Sequence, residues 1–214
     1  MESSAERFQN SQWQKLHELC FSKQAVLQMV EPGAVLDIGC GDGLLLEELK
    51  KQGIEGIGID LSSKAVAIGV SRGLDCRQHD LSEALPFQAE AFDTVILTDV
   101  LEHLFQPAEV LKEARRVCKK HILVSVPNFA SLPARLQVLR GNVPENNTPR
   151  DGHVYWMTLD VLTRLLTNAG FEIEQLVTNT FWTRVPVLGV CTRWLNTVWP
   201  SLFGLSFVVK ARKR

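Results

Sequence analysis

The residues best placed to do chemistry form a short run, Val35-Leu36-Asp37-Ile38-Gly39-Cys40-Gly41-Asp42-Gly43. Three glycines fall at alternate positions, which lets the backbone turn tightly and lets a ligand approach the peptide groups. A dinucleotide fingerprint needs glycine at the first, third and sixth positions, to seat a pyrophosphate on a helix N-terminus. Here the sixth position is Leu44. Asp37 and Asp42 bracket the turn. Two carboxylates repel a pyrophosphate and attract a cation, so the turn is suited to a positively charged ligand.

Three more signals follow in order. Asp60 comes about twenty residues after the turn, where an acidic residue grips a ribose diol. The run His79-Asp80-Leu81 supplies an acceptor for an adenine amino group, Asp80, and an apolar neighbour for the ring, Leu81. The run Leu97-Thr98-Asp99-Val100-Leu101-Glu102-His103-Leu104 comes last. A ribose, an adenine and positive charge without phosphate describe S-adenosylmethionine (SAM), which carries an ammonium and a sulfonium. The expected cofactor contacts are Asp37, Gly39, Cys40, Gly41, Asp60, Leu61, Asp80, Leu81, Thr98 and Asp99, with S-adenosylhomocysteine as the product ligand. Cys40 sits inside the turn, where only a small side chain fits, and is not read as a nucleophile.

Candidate catalytic residues lie farther along. His103 has an ordinary pKa suited to proton transfer near neutrality. His153, beside Tyr155, follows a long loop and could face an acceptor from above. Asn128 could position an acceptor's carbonyl or amine. Arg135, Arg140, Arg150 and Asp151 sit in the same loop, where arginines would suit an anionic acceptor. No His/Cys spacing of ligand type occurs, and the nearby carboxylates are assigned to the cofactor, so no metal is expected.

These residues need a scaffold, and the sequence supplies one in alternating apolar runs and helical stretches. Strands are expected at 34–38, 56–60, 75–79, 92–98 and 121–126. Helices are expected at 44–51, 63–72 and 108–117. Such alternation implies βαβ units, a parallel sheet and helices on both faces. Before it, apolar positions from Trp13 to Val30 read as one or two amphipathic helices, ended by Pro32-Gly33. After it, residues 127–152 form a long connection with a short helix at 134–139, of the kind that makes lids or substrate walls. A helix over 158–168 with Thr158 as N-cap follows, then strands at 171–178 and 205–210. The fold class is α/β: a doubly wound, seven-stranded, mostly parallel sheet. The expected division is a helical lead-in over 1–32 and a cofactor-binding domain over 33–214, with a lid-like insertion at 127–157 and an apolar insertion at 181–204.

The motif series VLDIGCGDG, GIGID, HDLSE and FDTVILTDVLEHL resembles that of class I SAM-dependent methyltransferases, over roughly residues 33–126. The resemblance implies that Asp37, Gly39 and Gly41 line the methionine portion of SAM, that Asp60 holds the ribose, and that Asp80 with Leu81 frames the adenine. It also implies the Rossmann-like methyltransferase fold and transfer to a small-molecule acceptor. Farther on, VSVPNFASLPARLQVLRGNVPENNTPRDGHVYWMTLDVLTRLLTNAGFEI resembles the MetW-like (methionine biosynthesis protein W) branch of that superfamily. That branch is linked to homoserine acylation in methionine synthesis, which implies a SAM-binding partner or regulator as the alternative function.

Bulk properties narrow the classes. With 214 residues, 45% hydrophobic, 22% charged and a formal net charge of −1, the chain has the make-up of one soluble domain and no broad affinity for nucleic acid. The basic cluster Lys210, Arg212, Lys213 and Arg214 reads as a solvated tail. Five cysteines without paired spacing suit a reducing compartment, and the expected location is the cytoplasm. No integral membrane segment is expected. Phe181, Trp182, Trp194, Trp199 and Phe203 make 181–204 the candidate surface for a homodimer or protein partner. A cover over the sheet edge, a wall for an apolar substrate and an interfacial membrane helix are its other readings.

Overall fold

The computed structural model describes residues 6–7, 19–144, 152–183 and 185–214. Residues 8–18 of the expected helical lead-in, Arg150, Asp151 and Arg184 lie outside them. In chain order the elements are α1 (Phe21–Met29), β1 (Val35–Ile38), α2 (Leu44–Lys51), β2 (Gly56–Asp60), α3 (Ser63–Ser71), β3 (Asp75–Gln78) and β4 (Phe92–Thr98). A single 3-10 turn (Leu101–His103), α4 (Pro107–Val117), β5 (Cys118–Pro127), α5 (Leu132–Leu139) and α6 (Leu159–Asn168) follow. The chain continues through β6 (Phe171–Thr180), α7 (Pro186–Val198), α8 (Pro200–Phe203) and β7 (Gly204–Lys213).

Local chemistry explains several boundaries. Ser62 Oγ accepts from Ala65 N at 3.2 Å and caps α3. Thr158 Oγ1 accepts from Val161 N at 3.2 Å and caps α6, whose first turn holds Asp160. Pro107 opens α4, where its missing N–H costs nothing. Gly170 follows α6 with φ of 83°, a left-handed exit that favours glycine.

The seven strands form one sheet in the order β3-β2-β1-β4-β5-β7-β6. Strands β1 to β5 are mutually parallel, and β7 runs antiparallel between β5 and β6. The chain winds outward from β1 to β3, then returns to the other side of β1 for β4. The resulting switch between β1 and β4 is where open α/β sheets bind ligands, at the strands' carboxyl ends.

Alternation along the strands builds two apolar layers. Leu36, Ile38, Val95, Leu97, Ile122 and Val124 face one layer, which α4 and α6 cover with Leu111, Ala114, Leu162 and Leu166. Val35, Ile96, Leu123 and Val208 face the other, which α1 and α2 cover with Val26, Met29, Leu45 and Leu49.

One expectation about the chain's last residues is corrected. Lys210, Arg212 and Lys213 belong to β7, not to a solvated tail. They pair with carboxylates: Lys210 with Glu31, Lys213 with Glu90 at 2.9 Å, and Arg212 with Glu174 at 3.1 Å. A strand hydrogen-bonded on both sides tolerates lysines whose stems lie along the sheet and whose heads reach carboxylates.

Candidate cofactor and acceptor site

The register sets a row of positions along the carboxyl edge of the sheet. Ile38 is level with Ile59 and with Leu97, so Gly39 emerges between Asp60 and Thr98. Asp60 is level with Gln78, and Thr98 with Ser125. At about 4.8 Å per strand, the row from β3 to β5 spans roughly 19 Å.

The turn sits at its centre. Gly39, Gly41 and Gly43 have φ of 74°, 58° and 78°, in the region that L side chains rarely adopt. A Cβ on Gly39 would lie 2.4 Å from Val100 Cγ2, so the turn also needs glycine for space. Gly39 N and Cys40 N both donate to Ile59 O, at 2.8 and 3.1 Å, which pins the turn to β2. Asp60 finishes the arrangement. Its Oδ2 accepts from Gly41 N at 2.9 Å and its Oδ1 from Ser62 N at 2.8 Å. Each oxygen keeps a lone pair for a ribose hydroxyl. Burial raises the Asp60 pKa above its ordinary value, against these two hydrogen bonds.

The other expected cofactor residues fall into place unequally. Asp37 lies under the turn, 2% exposed, and burial pushes its pKa up to about 7, opposed by Lys23 and helped by Asp60. Thr98 is buried and its Oγ1 has no partner. Asp99 has φ of 55°, an uncommon backbone for aspartate, and its Oδ1 accepts from Ser125 Oγ at 2.7 Å and Ser22 Oγ at 3.5 Å. Asp80 is exposed beyond β3, and its Oδ1 accepts from Ser82 N at 2.9 Å. Leu81 packs partly on the core, and the Leu61 carbonyl accepts from Gln78 Nε2 at 3.2 Å. Cys40 is 3% exposed and packs against Gly58, so it offers a ligand its backbone rather than its thiol.

Asp42 does not stand as an open charge beside the turn, because Arg72 pairs with it at 3.2 Å and its Oδ1 accepts from Leu44 N at 3.3 Å. It serves the start of α2. The preference for a cation rests on Asp37 and Asp99. Helix α1 adds Ser22 and Lys23 to this end of the site; their ordinary helical setting gave no sequence signal.

Of the candidate catalytic residues, two come together and one does not. His103 and His153 lie edge to face, with ring centroids 4.8 Å apart. His103 Nδ1 meets Gly152 O at 3.3 Å. Val154 N and Tyr155 N both donate to Glu102 O, at 2.8 and 3.0 Å, which docks the end of the long connection onto the 3-10 turn. Asn128 is turned the other way. It is fully buried, donates to Ser201 O and Gly204 O at 2.9 and 2.8 Å, and accepts from Ala130 N at 3.0 Å. Its amide ties β5 to the start of β7, and it is withdrawn as an acceptor contact. Arg135 donates to Ala130 O, and Arg140 lines an apolar cleft of about 310 Å³ with Leu132, Leu136, Phe181 and Trp182.

Among the described residues, five buried side-chain polar atoms have no hydrogen-bond partner. Three of them, His79 Nε2, Thr98 Oγ1 and Glu102 Oε2, follow or end β3 and β4 on the edge that carries the turn. Buried polar groups are nearly always satisfied, so each of these atoms is a position where a ligand could supply a partner. A larger cleft, about 700 Å³, lies at the opposite edge, beside Ala34, Val35, Gly56 and Asp75 where strands begin. It holds none of these orphaned atoms. The left-handed turn, the ribose-ready Asp60 and the unsatisfied atoms fit SAM.

Fold and site together define a class I SAM-dependent methyltransferase with a Rossmann-like sheet. The chain belongs to the methionine biosynthesis protein MetW family, whose pattern matches residues 22–197. It is 29% identical over 180 residues to a ubiquinone biosynthesis O-methyltransferase of Ralstonia nicotianae, covering 78% of this chain and 76% of that one. It is 32% identical over 119 residues to a bifunctional methionine biosynthesis protein MetXA/MetW of Rhodopirellula baltica, covering 50% of this chain and 19% of that one. A SAM-dependent methyltransferase from Thermotoga maritima has the same fold, with a TM-score of 0.68 at 21% identity over 90% of this chain and 88% of that one. Among the described residues, no helix is long and apolar enough to cross a membrane.

Proposed function

We propose that this chain transfers the methyl group of SAM to an oxygen of a small-molecule acceptor that has an apolar portion. The observation that carries this reading is Asp60, whose two oxygens accept from Gly41 N and Ser62 N and so fix the carboxylate at the turn, each with a lone pair left for a ribose hydroxyl. SAM supplies an activated methyl group on a sulfonium that leaves as a neutral thioether. The protein's work is then to orient. Asp60 and the Gly39–Gly41 backbone hold the donor, Asp80 and Leu81 frame the adenine beyond β3, and Thr98 and Asp99 face the methionine end. Holding two reactants in line contributes about 7–11 kcal/mol to lowering such a barrier.

The donor's path over β3, β2 and β1 leaves the acceptor the space beyond β4 and β5. His103 and His153 stand there, placed to polarise or deprotonate the nucleophilic group. Leu132, Leu136, Phe181 and Trp182 offer its apolar portion a wall. Oxygen as the acceptor atom is carried over from the Ralstonia relative's name.

Calorimetric titration with SAM and S-adenosylhomocysteine tests the reading. Both should bind one per chain, and Asp60→Ala should weaken binding about 10- to 100-fold, the worth of roughly 1.5–3 kcal/mol for hydrogen bonds to a charged group. Failure of both ligands to bind sinks it. Labelled SAM mixed with a metabolite extract then reads the acceptor by mass spectrometry.

A second reading, a SAM-binding partner of an acyltransferase, is favoured by two observations. The Rhodopirellula relative is named for two functions in one chain. Helix α7 also leaves Val187, Val190, Trp194 and Val198 more than half exposed. Co-elution with an acyltransferase of the MetXA type, without methyl transfer to any metabolite, would favour it over the first.

A further inference from the structure

We propose that Glu102, His103 and His153 form a divalent-metal site at the acceptor end of the pocket, taking a borderline ion such as Zn²⁺, Mn²⁺ or Fe²⁺. One ligand atom from each lies within 4.8 Å of the others. A bound ion at about 2.0–2.2 Å from each atom holds such a trio within roughly 3–4.4 Å, so binding draws the side chains together by less than about 2 Å.

The carboxylate is the reason to expect an ion. Glu102 is 1% exposed, and its Oε2 has no hydrogen-bond partner. Its Oε1 lies 3.9 Å from His153 Nε2, too far for a charge-assisted hydrogen bond, which runs about 2.7–2.9 Å. A plain Glu102–His153 ion pair therefore leaves half of a desolvated carboxylate unanswered. A cation between the three side chains answers it.

The histidines are set up for the same role. The Gly152 carbonyl can only accept, so a hydrogen bond to it makes His103 Nδ1 the donor. A carbonyl on the far nitrogen is the usual outer partner of a metal-bound histidine. Glu102 and His103 are fixed by the 3-10 turn, and His153 is delivered by the loop end that docks on Glu102 O. Three protein ligands leave positions open, and a two-histidine, one-carboxylate set with open positions suits a working rather than a structural ion.

The use of the ion rests on the proposed function; the site itself does not. With an ion held there, an acceptor hydroxyl in an open position would release its proton to solvent more readily, as metal-bound water does, and its oxygen would bond the methyl carbon as the carbon–sulfur bond of SAM breaks and the neutral thioether leaves. The histidines would then act as ligands and not as bases.

Chelator-treated protein titrated with Co²⁺ and Zn²⁺, without donor or acceptor, provides the test. We expect one ion per chain, visible Co²⁺ bands of mixed nitrogen and oxygen ligation, and at least tenfold weaker binding in Glu102→Gln and in His153→Asn. Each variant is checked by S-adenosylhomocysteine binding, and if Glu102→Gln loses that as well, His153→Asn decides. Wild-type protein that binds S-adenosylhomocysteine but no ion overturns the site, and so does ion binding of equal strength in a variant that keeps its S-adenosylhomocysteine affinity. Failure of the wild type to bind S-adenosylhomocysteine would instead sink the proposed function.

Discussion

Asp37 is a carboxyl buried at a cost to the fold. Its pKa, near 7 in place of 3.8, is set first by burial. A carboxyl whose folded pKa is raised contributes stability that is present below pH 3.8 and lost as pH rises to about 7. At about 1.4 kcal/mol per unit, ionising it in the ligand-free protein costs roughly 4 kcal/mol. Asp37→Asn should therefore raise ligand-free stability at about pH 8 and leave it little changed at about pH 4, in urea unfolding at the two values. Equal stability of wild type and variant at both would show that the carboxyl is not desolvated. The variant should also lose SAM affinity, since a cation draws on the ionised form. Asp42, which follows Gly41 in the same turn, has no such role because Arg72 answers it.

At the level of elements, the connections after β5 decide how the acceptor side is built. Asn128 holds the end of β5 to α8 and β7 through backbone partners at Ser201 and Gly204. Asn128→Ala leaves the Ser201 and Gly204 carbonyls short of a donor and Ala130 N short of an acceptor. A loss of about 2–4 kcal/mol follows, or a fall in Tm of roughly 4–15 °C. S-adenosylhomocysteine affinity should stay within a few-fold of wild type at a temperature where both are folded. A large drop in methyl transfer with an unchanged Tm would restore Asn128 to the acceptor contacts. The 3-10 turn works the same way in reverse. Its Glu102 carbonyl anchors Val154 and Tyr155, so the loop that ends at His153 is brought to the edge by β4, not by its own sequence.

For the whole molecule, β7 is the keystone of the sheet's second half. It is hydrogen-bonded to β5 on one side and β6 on the other, and it buries Phe207, Val208, Val209 and Ala211. A chain stopped before Gly204 exposes two strand edges and opens both apolar layers. It should lack a cooperative thermal transition and fail to bind S-adenosylhomocysteine. A soluble truncated chain that melts cooperatively and binds would show that the parallel half folds alone. The outward face of α7, with Trp194 64% exposed, is a broad apolar feature that this architecture leaves uncovered, and it is where the partner reading would be tested.

The parallel half of the fold and the class of cofactor were legible in the sequence, because the strand, turn and helix that carry both signals are local. Strand, turn and helix follow one another within a few residues from Val35 to Leu44, and Gly39, Gly41 and Asp60 owe their roles to backbone shape and strand ends. The class of cofactor followed from those residues and their charges. What only the tertiary structure decided depends on parts distant in the chain. Asp42 meets Arg72 thirty residues on, Asn128 meets the start of β7, and the basic cluster at 210–213 becomes an interior strand because β5 and β6 both lack a neighbour without it. The Glu102, His103 and His153 trio has the same origin. Glu102 and His103 are neighbours, but His153 lies fifty residues on, no spacing pattern links it to them, and only the docking of one loop on the end of β4 brings an atom from each within 4.8 Å of the others.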